Sequence, residues 1–212
     1  MAPVHITVGF YCMRDPGVGR VLVASLHQAI ADVIPTRLGF YESFLDPEGM
    51  REGTIGLAPL YAVLSFLRQE GDGVYGRITT RAGHYAADWT AVSMSPVHRA
   101  LVKAAPAWLR GRLLLRLAGQ LVRSTYRGSR AVSRMRRGTA SVDLRASIFC
   151  TVRERVPQPL CGYYAAAFTR LLTLFSLPAR AEVMACRGTG EATCTLRVAL
   201  AGTDQARRTE AA

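Results

Sequence analysis

Between Asp88 and Asp143 the chain carries no acidic residue, and Lys103 is its only lysine. Nucleotide and hydrolase fingerprints are missing as well. Gly17-Val18-Gly19 lacks the third glycine of a dinucleotide loop, and no convincing strand precedes it. There is no GxSxG elbow and no HExxH helix. A reductase needs a hydride source, and no nicotinamide or flavin fingerprint is visible. These absences favour binding over catalysis. The N-terminus MAPVHITVGFYCMRDPG has no basic start followed by a long apolar run, so no secretory signal is expected. The most apolar stretch, Leu160–Leu177, is interrupted by Arg170 and reads as a buried amphipathic helix rather than a membrane span. The expected setting is therefore the cytoplasm. Thiols there stay reduced, which favours metal ligands or core cysteines over disulfides.

What the chain does have is apolar material and arginine. Half of its 212 residues are hydrophobic and a fifth are charged, enough for a sizeable core. The net charge is +12, and eleven positive residues between Arg99 and Arg137 nearly account for it. Arg116, Arg123, Arg127, Arg130, Arg134 and Arg137 recur at helical steps, which predicts one basic helix face. Arg123, Arg127, Arg130 and Arg134 are its candidate anion-binding residues. Such a face could meet nucleic-acid phosphates, an anionic membrane surface or an acidic partner, or simply be solvated. No nucleic-acid-binding signature accompanies it, which argues against nucleic acid.

The periodicity predicts a short strand at His5–Met13 and a helix over Val18–Val33, stopped by Pro35. A turn at Asp46–Gly49 follows, then a helix over Ile55–Leu67, a strand at Val74–Thr79 and a short helix at Arg81–Val92. Pro96–Arg137 reads as helical for most of its length, with breaks at Pro106, Gly111 and Gly128 and an end at Gly138. Ala140–Val152 alternates as a long half-buried strand. Leu160–Phe175 is a helix introduced by Pro157 and Pro159, and Glu182–Cys186 with Cys194–Leu200 forms a hairpin. The expected fold class is α+β, an antiparallel sheet packed against several helices.

Cys161 leads into the apolar helix, and Cys186 and Cys194 face each other across a Gly-rich turn. Thiols placed so can hold a soft metal such as zinc, with Cys150 as a fourth ligand. Equally, they can pack as small hydrophobes in the core. Apolar and aromatic wall material for a ligand pocket comes from Tyr61, Leu64, Tyr85, Trp89, Phe149, Tyr164 and Phe168, with Tyr163 and His84 close by in sequence. A fully packed core would use the same residues.

The run from Ser147 resembles the V4R (4-vinyl reductase) domain, of the same fold group as the Bet3-like subunits of vesicle-tethering complexes. It carries the strand SIFCTV, the helix PLCGYYAAAFTRLL and the hairpin EVMACRGTGEATCTLRV. Glu182, Cys186, Gly190 and Cys194 follow the family's order, and the resemblance extends loosely over residues 50–200. It implies a Bet3-like ligand-binding domain over 50–202, a helical extension over 1–49 and a polar tail over 203–212. It also implies an apolar cavity for a small hydrophobic or aromatic ligand, and a homodimer. Phenol-sensing members hold zinc through three cysteines and a glutamate. Cys161, Cys186 and Cys194 match those cysteines, and Asp143, Cys150 or Glu154 would supply the remaining position.

Three functions follow as expectations. The first is a carrier, sensor or regulatory partner for a small hydrophobic molecule. The second, implied by the family name, is an enzyme or accessory of tetrapyrrole synthesis. The third is a basic adaptor for nucleic acid or for peripheral contact with an anionic membrane.

Overall fold

A computed structural model describes residues 17–45, 55–71, 73–136 and 138–200. The fold is α+β: seven α-helices and one four-stranded antiparallel sheet among these residues. The expected strand at His5–Met13, the turn at Asp46–Gly49 and the polar tail lie outside them.

Helix α1, Arg20–Val33, turns Leu22, Leu26, Ala29 and Ile30 inward, as its apolar spacing requires. A short α2, Leu38–Glu42, buries Tyr41, and α3, Leu57–Gln69, buries Leu60, Val63, Leu64 and Leu67. Helix α4, Val74–Ser93, corrects the sequence reading: the expected strand at Val74–Thr79 is its opening turns. Val74, Ile78, Ala82 and Ala86 step by four onto one buried stripe. The Thr79 hydroxyl donates to the Tyr75 carbonyl at 2.8 Å, so a β-branched residue is accommodated within the helix.

Helix α5, Pro96–Ala104, and helix α6, Ala107–Thr125, are separated at Pro106 as expected, whereas Gly111 stays helical and is buried. The second correction is at the arginine run. The chain leaves the helix at Thr125, turns through Arg127 and Gly128, and becomes strand β1, Arg130–Arg136. The Ser129 N–H donates to the Tyr126 carbonyl at 2.9 Å and its hydroxyl to the Ala146 carbonyl at 2.8 Å, fixing that turn. The expected single helix face of Arg123, Arg127, Arg130 and Arg134 therefore does not form. The first lies on α6, the second in the turn and the last two on β1.

Strand β2, Thr139–Arg145, is shorter than the strand expected over Ala140–Val152. Ala146 has φ 50° and ends the alternation, so Ile148–Cys150 is a 3-10 turn with Ile148 and Phe149 both buried. Helix α7, Gly162–Leu174, and strands β3, Ala179–Ala185, and β4, Cys194–Leu200, complete the chain close to the expected bounds. The strand order is β1-β2-β4-β3, antiparallel throughout. One sheet face is apolar: Ala140, Val142, Leu144, Cys194, Leu196 and Val198 are buried. Helix α6 packs on β1, and α7 packs on β3 and along α4. The other face holds Arg130, Arg134, Arg136, Ser141 and Arg197, all exposed.

Candidate metal centre and the aromatic core behind it

Four chain positions converge at the mouth of the sheet. Cys150 closes the 3-10 turn after β2, Cys161 caps α7, Cys186 follows β3 and Cys194 opens β4. Their four Sγ atoms all lie within 4.8 Å of one another. Cys161, Cys186 and Cys194 are buried, and Cys150 is half-buried. Cys150 Sγ stands 3.1 Å from Cys161, 3.3 Å from Cys186 and 3.5 Å from Cys194, and Cys161 is 3.9 Å from Cys186. Those separations are far longer than a disulfide bond of about 2.0 Å. They bracket the edge of a tetrahedron whose centre lies about 2.3 Å from each sulfur, an edge of about 3.8 Å. The set of residues and its size fit a tetrahedral thiolate-bound metal.

Local backbone makes that convergence. Between Cys186 and Cys194 the chain folds into a 3-10 turn, Arg187–Thr189, and then passes through Gly190 at φ 97°. The Cys186 carbonyl accepts from the Thr189 N–H at 3.1 Å, the Thr189 hydroxyl at 2.8 Å and the Glu191 N–H at 3.2 Å. The turn thus brings both thiols to the same side. Two backbone donors also point at sulfur: Leu160 N–H to Cys186 and Arg187 N–H to Cys194, each at 3.3 Å. Hydrogen bonding from Cys150 draws Cys194 down to about 7 and Cys186 well below the ordinary thiol range. The network around Cys150 pushes Cys161 upward. The backbone N–H groups aimed at Cys186 and Cys194 favour the thiolate form that a cation binds.

Behind the thiols sits an aromatic cluster. Phe149 stacks on Tyr163 with centroids 5.0 Å apart and meets Tyr164 edge-on at 5.3 Å. Phe149 adjoins Cys150 in the chain, and both tyrosines follow closely on Cys161, so the thiols anchor this cluster. Burial pushes both tyrosines upward in pKa. Tyr164 Oη is 3.3 Å from Thr125 Oγ1. The Tyr163 hydroxyl has no hydrogen-bond partner among the described residues. The nearest polar group is the Ser25 hydroxyl, which lowers the Tyr163 shift. It donates its own proton to the Leu22 carbonyl at 2.9 Å and keeps its oxygen as an acceptor facing Tyr163.

Of the seven residues expected to wall a pocket, Leu64, Phe149, Tyr164 and Phe168 are in the core, and Tyr61 packs half-buried at its margin. Tyr85 and Trp89 stand elsewhere. They stack on each other 5.6 Å apart on the outer side of α4, where Trp89 is 36% exposed and Tyr85 donates to Asp32 at 2.6 Å. Helical spacing explains it, because Ala82 and Ala86 take the inward stripe. The unpartnered Tyr163 hydroxyl left no trace in the apolar run around it. A shallow groove of about 220 Å³ opens beside the thiols, lined in part by Tyr75, Val156, Gln158 and Leu160. The Tyr75 hydroxyl donates to the Leu160 carbonyl at 3.2 Å, tying α4 to the residue before Cys161.

No protein-family model matches the chain, and no curated protein matches it. Several solved structures are similar, two of them as follows. One is the phenol-responsive sensory domain of the transcription activator PoxR with phenol, at 14% identity and TM-score 0.47, covering 72% of this chain and 80% of that one. The other is a trafficking protein particle complex subunit 3 from Naegleria fowleri covalently bound to palmitic acid, at 12% identity and TM-score 0.46, covering 66% and 89%. At that level of likeness the functional reading rests on this chain's own residues. Among the described residues, no helix is long and apolar enough to cross a membrane.

Proposed function

We propose that this chain is a V4R-like domain pinned by a four-cysteine zinc site, binding a small aromatic molecule as a carrier, sensor or regulatory partner. The observation that carries it is the thiol cluster: four sulfurs from four separate segments, at the spacing of a tetrahedral thiolate site. Cys150, Cys161, Cys186 and Cys194 would hold the ion, which when bound cross-links those segments. The protein's own part is to present the sulfurs with two N–H donors already aimed at them and to shield three of them from water.

The class of ligand follows from Tyr163. A buried hydroxyl without a hydrogen-bond partner among the described residues is costly. Phe149, Tyr163 and Tyr164 are close-packed, so a guest bearing one polar group on an apolar ring would reach that hydroxyl by displacing one of these rings. Phenol is the simplest such probe.

Native mass spectrometry tests both halves. The expected spectrum shows one zinc per chain, lost in Cys186→Ser, and a phenol adduct lost in Tyr163→Phe. A metal-free mass from zinc-replete cells overturns the metal reading. Equal phenol affinity in wild type and Tyr163→Phe overturns the ligand reading.

A further inference from the structure

Helix α6 and the inner side of β1 enclose a second concavity, a groove of about 600 Å³ remote in sequence from the thiols. Its volume lies within the range of small-molecule sites. One wall is a stripe of α6 carrying Arg112, Arg116 and Arg123, which steps of four and seven residues place on one face. Ser133 and Gln120 add neutral hydrogen-bonding groups, and Leu115 adds apolar surface.

Three features mark the groove as more than a solvated basic face. First, none of the three guanidinium groups has an acidic partner among the described residues; Arg112 rests instead 5.7 Å from the Trp108 ring. The acid-free stretch from Asp88 to Asp143 keeps neighbouring carboxylates away. Second, Gly119 sits inside α6 at the groove, where glycine weakens a helix. Packing does not require it, since a Cβ there would meet only the Ala131 carbonyl oxygen at 3.8 Å. Its missing side chain keeps the middle of the groove empty. Third, β1 sorts its residues: Ala131, Ser133 and Met135 line the groove, while Arg130, Arg134 and Arg136 belong to the opposite face.

The geometry points to a binding site for an elongated small anion, with phosphate groups at both ends and an apolar middle. Arg112 and Arg116 stand one turn apart, about 6 Å along the axis, spaced to share one phosphate. Arg123 lies about 10 Å further along, in reach of a second. The apolar middle would run past Gly119, alongside Ala131 of β1. This site depends on neither the metal nor the aromatic core.

Hexane-1,6-diyl bisphosphate is a suitable probe, with inorganic phosphate as the single-anion comparison, both measured by isothermal titration at fixed salt. The bisphosphate should bind at least tenfold more tightly than phosphate. The double variant Arg116→Gln/Arg123→Gln should weaken it at least tenfold. Arg130→Gln/Arg134→Gln removes the same charge from the far sheet face and should change it less than twofold. Gly119→Leu should abolish binding at unchanged net charge, with circular dichroism confirming the fold. Equal losses in the two arginine pairs, or no detectable binding to wild type, would overturn the site. So would undiminished binding in a folded Gly119→Leu protein.

Discussion

Gly83 of α4 lies directly against the Tyr163 carbonyl of α7, so closely that a Cβ on Gly83 would overlap that oxygen. Ala166 Cβ and the Ala167 nitrogen, at 2.9 and 3.0 Å from the same point, leave nowhere for it to go. This backbone-to-backbone approach sets the depth at which the helix carrying Tyr163 sits. Asp88 and Arg170, paired at 2.9 Å, hold the two helices further along. Gly83→Ala must force backbone apart, so it should cost about 2–3 kcal/mol of stability. Gly76, in the same helix with open space around it, is the control, and Gly76→Ala should stabilise by up to about 1 kcal/mol. Urea midpoints of the two variants measure the difference. Equal effects would mean the helices can separate freely.

The thiol cluster makes a prediction about metal removal. Stripping with a strong chelator should lower the melting temperature by roughly 10 °C or more, and one equivalent of zinc should restore it. Serine at Cys150, Cys161, Cys186 or Cys194 should each abolish the chelator effect. Cys150 is the informative member, as the half-buried one. If Cys150→Ser keeps zinc as wild type does, the ligand set is three thiols and something else.

Tyr163 and Tyr164 form a matched pair with opposite expectations. Tyr163→Phe removes a buried hydroxyl with no partner among the described residues and should stabilise the ligand-free protein by about 1 kcal/mol. Tyr164→Phe deletes the contact with Thr125 and should cost about 0.5–1 kcal/mol. Thermal melts without added ligand decide it. A loss of stability in Tyr163→Phe would mean the hydroxyl is already satisfied.

The start of α1 is clamped to the end of α6. The Gly19 N–H donates to the Thr125 carbonyl at 2.9 Å, and a Cβ on Gly19 would overlap the Ser124 carbonyl oxygen. Gly19→Ala should cost about 1–3 kcal/mol. It should also speed amide exchange at Val18 and Gly19, leaving β4 protected. Unchanged exchange at the clamp would count against it.

The C-terminal third was legible because each period there had a single reading. Cys194, Leu196, Val198 and Leu200 alternate cleanly, and Cys161 precedes a mostly apolar helix in which Arg170 is the one charge. The arginine run was misread because 3.6-residue spacing continues by coincidence past the point where Tyr126, Gly128 and Ser129 end the helix. The alternation of Ala131, Ser133 and Met135 against arginines was the available signal. Val74–Thr79 has the β-branched look of a strand, and only packing against α7 shows it to be helix. Cys150 was visible as a thiol but not as a corner, because Ala146 at φ 50° turns the chain where an alternating pattern predicts it to run straight.

The order of the thiols along the chain bears on biosynthesis. They fall at residues 150, 161, 186 and 194, behind all the helices of the first two-thirds. A chain leaving the ribosome exposes α1 to α6 before the fourth sulfur has been added. Among the described strands, β4, which Cys194 opens, is also the only partner of β3 and the second partner of β2. The sheet and the thiol cluster must therefore be completed by the same late stretch of polypeptide. A ribosome stalled shortly before that stretch would present helices with neither a complete sheet nor a full set of thiols.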